Sequence, residues 1–155
     1  MSQVRFAIQD DLPDIVELAQ VAHLESRLAW IPFRAQRLWQ TIEQRIGNQN
    51  HCMIVAFNES QDLIGFLHGQ TERYDFASAS LARLKYWYVS PKQRGSLIAM
   101  KMFTGFQQWA VEKQVVELVI TPQFDSARTD AQVGKLMQKL GLKPAGTVFN
   151  RWIES

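Results

Sequence analysis

The chain has 155 residues, 46% of them hydrophobic and 21% charged, with a net charge of +2. This length supports one domain with a sizeable core, and the slight positive excess is too small to indicate a nucleic-acid surface, although it suits a polyanionic ligand. No apolar run reaches the roughly 18 residues of a membrane span, the N-terminus lacks a signal-peptide core, and the lone Cys52 supplies neither a disulfide nor a metal site. We therefore expect a single domain over residues 1–155, a cytoplasmic location, no metal, and neither nucleic-acid nor membrane partners.

The first half of the chain alternates between strand and helix patterns. Asp10 and Asp11 offer N-caps to a first helix, and Gly47 stops a second helix whose apolar residues recur every four positions. Turn-forming residues at 58–62 separate two apolar runs, as in a hairpin. These patterns predict a strand over residues 4–8, a helix ending near residue 23, a helix over residues 34–46, and strands over residues 52–57 and 63–68.

The second half predicts a strand over residues 84–89, a helix over 95–112, a strand over 115–120, a helix over 130–140 and a strand over 148–153. The strand at 115–120 is a continuous β-branched run, which predicts a central strand buried on both faces. Gly141 ends the helix before the last strand. An antiparallel meander inside an α/β alternation excludes a doubly wound nucleotide fold, which alternates strictly and carries its Gly-rich loop after the first strand.

The junction between the strand at 84–89 and the following helix is the strongest candidate for a ligand site. A strand that breaks at Pro91 and restarts as a helix brings unpaired backbone N–H groups and the positive end of the helix dipole to one point. Gly95 permits close approach of the backbone, and Arg94 supplies a cationic fork. This combination predicts phosphate binding; an ordinary strand-to-helix turn is the alternative.

The pattern Tyr88-Val89-x-Pro91-x-x-Arg94-Gly95-x-x-Ile98-Ala99 resembles the acetyl-CoA pyrophosphate loop of the GCN5-related N-acetyltransferases, the GNAT family. The order of the predicted elements resembles that family over nearly the whole chain. The resemblance implies an α/β GNAT fold, with a mixed, splayed central sheet flanked by helices. More locally, residues 22–27 and 66–69 resemble phage-type and prophage-type bacterial members.

The resemblance also implies a cosubstrate, acetyl-CoA, and direct transfer of its acetyl group to a primary amine. In the family the backbone at Tyr88 and Val89 pairs with the pantetheine arm. The pyrophosphate loop maps onto Arg94, Gly95, Ser96, Leu97, Ile98 and Ala99. Leu97 stands where the family usually has glycine, so we expect it to be helical with its side chain facing the protein. The implied partners are CoA and an amine-bearing acceptor.

Both common catalytic positions of the family hold unsuitable residues in this chain. Arg83 stands at the position of the glutamate base and cannot accept a proton at physiological pH, and Met137 stands at the position of the tyrosine acid. Glu25 lies in the segment that covers the substrate mouth in this fold, so it is our first candidate for the base or for an amine-binding carboxylate. Tyr86 and Tyr88 share one strand face and are the next candidates, with core packing as the alternative for both.

Three further features stay open. His68 suits proton transfer, although a hydrogen-bonded structural histidine explains it as well. Glu72 and Asp75 either receive a cationic substrate or solubilise a loop. Trp30, in an apolar loop between helices, predicts a substrate lid or a contact in a possible homodimer.

The rival interpretation is a catalytically silent CoA-binding or protein-interaction module with the same fold. Arg83, Leu97 and Met137 favour it, because each departs from the family pattern. Fold alone does not decide between the two, since function depends on the site. The sequence does not identify the acceptor.

Overall fold

The computed structural model describes residues 3–93, 97–121 and 130–153. Its elements are β1 (Gln3–Phe6), α1 (Leu12–Glu25), α2 (Ala35–Arg45), β2 (His51–Phe57), β3 (Leu63–Arg73), β4 (Ser80–Val89), α3 (Leu97–Glu112), β5 (Glu117–Ile120) and α4 (Asp130–Lys139). The strands form one sheet in the order β1-β2-β3-β4-β5. Neighbours from β1 to β4 are antiparallel, whereas β5 is parallel to β4. The mixed sheet and its antiparallel meander are as predicted.

The sheet has two faces, and each buries a different apolar cluster. Phe106 and Met102 of α3 pack on one face against Ile54 and Leu67, and all four side chains are at least 98% buried. The other face is covered by α1 and α2, which bury Leu12, Ile15 and Ile42 against Val55 and its neighbours in β2. We call them the α3 face and the α1/α2 face. Strand alternation assigns successive side chains to opposite faces.

A β-bulge in β4 changes this alternation beside the site described below. Gly69 pairs with Leu84 and His68 pairs with Tyr86, so Lys85 is the extra residue. A Cβ atom on Gly69 would lie 2.3 Å from Cε1 of Phe106, which requires glycine at this point of contact with α3. Because of the bulge, Tyr86 and Tyr88 both lie on the α1/α2 face, beside His68 and Phe66.

Glycine ends two helices as predicted. Gly47 and Gly141 both have a φ of +79°, in the left-handed region. After α4, the Gly141 N–H donates to the Gln138 carbonyl at 3.0 Å, and the Leu142 N–H donates to the Met137 carbonyl at 2.9 Å. These two bonds are the Schellman pattern.

Three predictions about elements are wrong. In the described part of the sheet β5 lies at the edge, pairs only with β4 and is partly exposed, because no further strand covers its outer side. Residues 148–153 form no strand, and Val148, Phe149 and Ile153 are each at least 74% exposed, so their apolar pattern does not report burial. The Asp11 side chain does not cap α1.

Asp11 instead joins the start of α1 to β1. Its carboxylate accepts hydrogen bonds from Arg5 at 2.7 and 2.9 Å and from the Ile8 N–H at 2.8 Å. Burial raises the pKa of this carboxyl, but the bonds from Arg5 and Ile8 outweigh it, so the pKa is lowered overall. In the part of the chain that the structure describes, no helix is both long and apolar enough to cross a membrane.

Candidate active site

The candidate site lies at the carboxyl end of β4. The parallel register with β5 runs only from Leu81 to Leu84, whereas β4 continues to Val89. The two strands are therefore in register at one end of β4 alone, as expected for a splayed sheet. After Val89 the Ser90 N–H donates to the Ile64 carbonyl at 2.8 Å, and the chain forms a 3-10 turn over Pro91–Gln93.

Of the predicted phosphate loop, the structure describes residues 97–99. Arg94, Gly95 and Ser96 lie outside the described residues, so their role stays a prediction. Leu97 is the first residue of α3, as expected, but its side chain is 76% exposed, and the expectation that it faces the protein is wrong. The buried stripe of α3 begins one residue later, at Ile98, and the first turn therefore directs Leu97 to solvent.

The remaining predicted cofactor residues belong to the core through their side chains. Val89 and Ile98 are buried in the cluster on the α3 face, and Ala99 packs against it. Only their backbone atoms are suited to a ligand. Trp87, on the same face, packs on Phe103 with the ring centroids 5.8 Å apart. Its indole N–H is buried and has no hydrogen-bond partner within the described ranges.

Two of the three predicted catalytic residues contact each other. The Tyr88 hydroxyl donates to Oε1 of Glu25 at 3.0 Å across 63 positions of sequence. Glu25 is the last residue of α1, and Tyr88 is held on the sheet by the Phe66 ring, 5.8 Å away. An ionised carboxylate accepts hydrogen bonds or a proton, and a phenol donates. The pair therefore places a proton acceptor at the end of β4.

Tyr86, the third candidate, lies beside a histidine pair instead. Its ring stacks over His68 at 6.2 Å, and it is 51% exposed. His68 is 1% exposed, its Nε2 lies 3.0 Å from Nδ1 of His51, and its Nδ1 lies 3.4 Å from a guanidinium nitrogen of Arg45. A guanidinium only donates, so His68 Nδ1 accepts and its Nε2–H donates to His51. This network assigns a neutral tautomer to His68.

Burial, together with the neighbouring Arg45, His51 and Lys85, lowers the pKa of His68 to about 3. Burial also lowers the pKa of His51, with Arg45 as the second cause. Both imidazoles are consequently neutral near pH 7. Burial lowers the pKa of Arg45 as well, yet a guanidinium remains charged. The network thus carries one fixed positive charge.

The position of the family's catalytic glutamate contains an ion pair. Arg83 Nε lies 2.9 Å from one carboxylate oxygen of Glu72, and a second guanidinium nitrogen lies 3.2 Å from the other. Gln70 also donates to Glu72, at 3.1 Å. The Arg83 bond is the main reason why the pKa of Glu72 is lowered. A carboxylate held in this way is a poor base. Glu72 is therefore a partner of Arg83 and not a loop solubiliser.

The loop after α1 borders Glu25. His23 Nε2 bonds to the Ile31 carbonyl at 2.6 Å, and Trp30, 64% exposed, makes an edge contact with Trp152 at 5.0 Å. The loop is thus attached both to α1 and to the C-terminal segment.

Sequence reasoning missed Arg45 and His51. His51 precedes the predicted strand by one residue, and Arg45 ends a helix where a basic residue is common. The pairing of β2 with β3 brings His51 to His68, and the packing of α2 on the same face brings Arg45 there. Among the described residues, no group of three or more His, Cys, Asp or Glu residues is arranged to hold a metal ion.

No protein-family model and no curated protein sequence matches this chain. Solved structures do match. The structure of AAC(6')-Iy in complex with the bisubstrate analog CoA-S-monomethyl-acetylneamine has a TM-score of 0.77 at 15% identity, covering 100% of this chain and 99% of the other. The aminoglycoside 6'-N-acetyltransferase AAC(6')-Ih from Acinetobacter baumannii has a TM-score of 0.74 at 18% identity, with the same coverage.

A third similar structure is glucosamine-6-phosphate N-acetyltransferase from Arabidopsis thaliana, with a TM-score of 0.76 at 10% identity and 99% coverage of both chains. The fold is that of the GNAT acetyltransferases. The predicted fold class is therefore confirmed. The finer resemblance to phage-type and prophage-type members has no support in these comparisons. At such identities the likeness establishes the fold, and the chemistry depends on the site.

Proposed function

We propose that the chain is an acetyl-CoA-dependent N-acetyltransferase that transfers acetyl to a primary amine by direct attack. The observation that carries this proposal is the hydrogen bond between Tyr88 and Glu25 at the end of β4. The similar structures support the reaction class, since they are N-acetyltransferases and one of them holds a CoA bisubstrate analog.

Several features of the chain suit acetyl-CoA. The backbone of β4 extends past its register with β5, and α3 begins directly after the basic, glycine-containing residues 94–96. The buried, unpartnered indole N–H of Trp87, as judged within the described residues, is a donor on the same stretch of β4. We assign the pyrophosphate to residues 94–99 and the pantetheine arm to the backbone of Tyr88 and Val89. Acetyl-CoA supplies the thioester carbonyl that the amine attacks.

In this proposal Glu25 takes the proton of the ammonium group, which must leave before the nitrogen can attack. The Tyr88 hydroxyl holds the carboxylate in place by donating to Oε1. Tyr86 lies on the same face and lines the approach to the nitrogen. A new bond joins nitrogen to the acetyl carbon, the bond from that carbon to sulfur breaks, and CoA leaves as the thiolate. The second proton that the nitrogen loses as the amide forms passes to this thiolate through solvent. Positioning contributes most of the rate, because a bound thioester and amine are already close.

Glu72 is a second carboxylate beside β4, and its bidentate contact with Arg83 makes it a poor base. This contact explains how Arg83 is accommodated at the family's base position. The proposed base comes instead from α1.

The test combines CoA release with calorimetry. We expect the parent to bind CoA and to release it from acetyl-CoA with at least one member of a broad amine panel. Gly95→Asp places a carboxylate in the proposed phosphate site, so it should remove most of the CoA affinity. Gly146→Asp adds the same charge at an exposed glycine with open space around it and serves as the control. CoA binding that survives Gly95→Asp contradicts the phosphate loop. Tight CoA binding with no turnover of any amine favours the silent module.

A further inference from the structure

Three arginines of the described chain are half-buried, and they differ in their partners. Arg5 pairs with the carboxylate of Asp11, and Arg83 pairs with that of Glu72. Within residues 3–93, 97–121 and 130–153, Arg45 has no carboxylate in salt-bridge range, and its hydrogen-bond partner is the neutral ring of His68. A partly buried charge without an opposite charge is costly. An anion bound beside Arg45 would offset this cost.

The surroundings of Arg45 add to its positive field. We call Arg45, His51, His68 and Tyr86 the Arg45 cluster; the contacts at His68 join its members. Lys85 of the bulge lies close enough to lower the pKa of His68, and no carboxylate pairs with it in the described ranges. Lys85 also acts on Glu72, whose carboxylate already pairs with Arg83. Tyr86 is half-exposed and Arg45 is partly exposed, so the cluster borders solvent.

The Arg45 cluster lies on the same sheet face as the Glu25–Tyr88 pair. Tyr88 contacts Glu25 and Tyr86 stacks on His68, and these two tyrosines lie two residues apart on this face, about 7 Å along β4. One small molecule can therefore place an amine at Glu25 and an anionic group at Arg45.

We infer that the acceptor amine carries an anionic group, a carboxylate or a phosphate, and that Arg45 binds it while Glu25 binds the amine. This inference rests on the proposed function. It also distinguishes the chain from proteins that modify polycations such as aminoglycosides, because further positive charges on the acceptor would face Arg45 and Lys85.

A purely structural role for Arg45 is the competing explanation. Arg45 ends α2, where a positive charge is favourable to the helix dipole, and it covers His68. That role predicts a loss of stability when Arg45 is changed. It does not predict any preference among amines.

The test uses two matched pairs of acceptors, 6-aminohexanoate with 6-aminohexanamide, and β-alanine with β-alaninamide. The extended longer acid is about as long as the roughly 7 Å spacing of Tyr86 and Tyr88, and the shorter one is not. We expect the parent to favour 6-aminohexanoate over its amide by about 10- to 100-fold in kcat/KM, mostly through KM, as for a charge-assisted hydrogen bond. The shorter pair should differ much less.

Arg45→Gln should bring the ratio within the longer pair close to one. Arg37→Gln removes an exposed arginine of the same helix and should leave the ratio as in the parent. Turnover of both long amines with no preference in the parent overturns the inference and leaves the proposed function standing. A preference that Arg45→Gln does not reduce overturns it as well.

A parent without any turnover contradicts the proposed function, and binding then decides the anion site separately. Methylphosphonate is titrated while the imidazole resonances of His51 and His68 are followed by NMR. Saturable shifts in the parent and in Arg37→Gln, lost in Arg45→Gln, support the anion site. Absence of saturable shifts in the parent, or their persistence in Arg45→Gln, overturns it.

Discussion

The two faces of the sheet contain residues from the same strands and yet differ in chemistry. On the α3 face, β2, β3 and β4 contribute apolar side chains along most of their length, and α3 closes over them. On the α1/α2 face the apolar cluster is centred on β2, whereas β3 and β4 carry a row of polar and aromatic groups from Glu72 and Arg83 to Tyr88. The α3 face is thus apolar along most of β2, β3 and β4, whereas the α1/α2 face carries the polar groups of the candidate site on β3 and β4.

The bulge at Lys85 decides which side chains of β4 lie on which face. Without the extra residue, the regular two-residue alternation would turn Tyr86 and Tyr88 toward α3 and Trp87 toward α1. Gly69 permits the close contact of Phe106 beside the bulge. One inserted residue thus assigns the aromatic side chains of β4 to their faces.

The largest expected effect concerns the polar row. Glu25→Gln keeps the shape of the side chain and removes its ability to accept a proton, so turnover should fall by roughly 10²–10⁴-fold while affinity for acetyl-CoA stays nearly constant. Steady-state kinetics and calorimetry measure the two quantities. Glu17→Gln, at an exposed position of α1, is the control. Unchanged turnover in Glu25→Gln would assign the proton to another group or to water.

The next effect concerns the α3 face. Gly69→Ala places a methyl group 2.3 Å from the Phe106 ring, which must move within a closely packed core. We expect a loss of about 3 kcal/mol in the free energy of unfolding, at the upper end for overpacking, measured by urea denaturation.

Gly134→Ala is the matched control for Gly69→Ala, since nothing lies within 4 Å of the added methyl group. It lies inside α4, where alanine is the better helix former, and should raise stability by up to about 1 kcal/mol. A Gly69→Ala variant as stable as the parent would mean that α3 is not held tightly at the bulge.

The fold was predictable from the sequence to a greater extent than the site. Hydrophobic periodicity is a local property. It located the described helices and strands, but it also predicted a strand over residues 148–153 that does not form, and it did not show that β5 lies at the edge. Glu25 and Tyr88 were named as separate candidates, but their contact spans 63 positions, and periodicity carries no information on such pairs.

Arg45 and His51 were missed for the same reason, since the packing of α2 brings Arg45 to His68 and strand register brings His51 there. The opposite error occurred at the exposed residues Val148 and Phe149, where the sequence pattern predicted a strand that does not form. Their alternation is typical of a strand, yet a strand also requires a partner edge, which no local pattern encodes.

A third prediction concerns the pH dependence of stability that His68, on the α1/α2 face, causes. His68 is neutral in the folded state with a pKa of about 3, against 6.5 when unfolded, so the unfolded chain binds an extra proton between these values. The contribution of neutral His68 to the free energy of unfolding is therefore fully present above pH 6.5 and is lost as the pH falls toward 3. Between pH 6.5 and pH 5, His68 should cost about 2 kcal/mol of unfolding free energy.

The choice of this interval keeps the carboxylates out of the measurement. The pKa values of Asp11 and Glu72 are lowered below their ordinary values of 3.8 and 4.5, so their contributions are lost only at lower pH. His68→Gln should flatten the dependence of stability on pH between 6.5 and 5. His51→Gln should flatten it less, since the pKa of His51 is lowered without so large a shift. An equally steep dependence in His68→Gln would refute the neutral buried imidazole.

The smallest effect tests whether the Tyr88–Glu25 contact belongs to the chemistry or only to the packing of α1. Tyr88→Phe keeps the ring against Phe66 and removes the hydroxyl that holds the carboxylate. A hydrogen bond to a charged group is worth about 1.5–3 kcal/mol, and water replaces part of it at a half-buried site, so we expect a roughly 10-fold loss of turnover with little change in stability. Tyr74→Phe breaks a bond of the same kind, from an exposed tyrosine to Glu117, and should leave turnover unchanged. If both variants lost stability equally and kept full turnover, the contact would be a tether of α1, and Glu25 would act without the help of Tyr88.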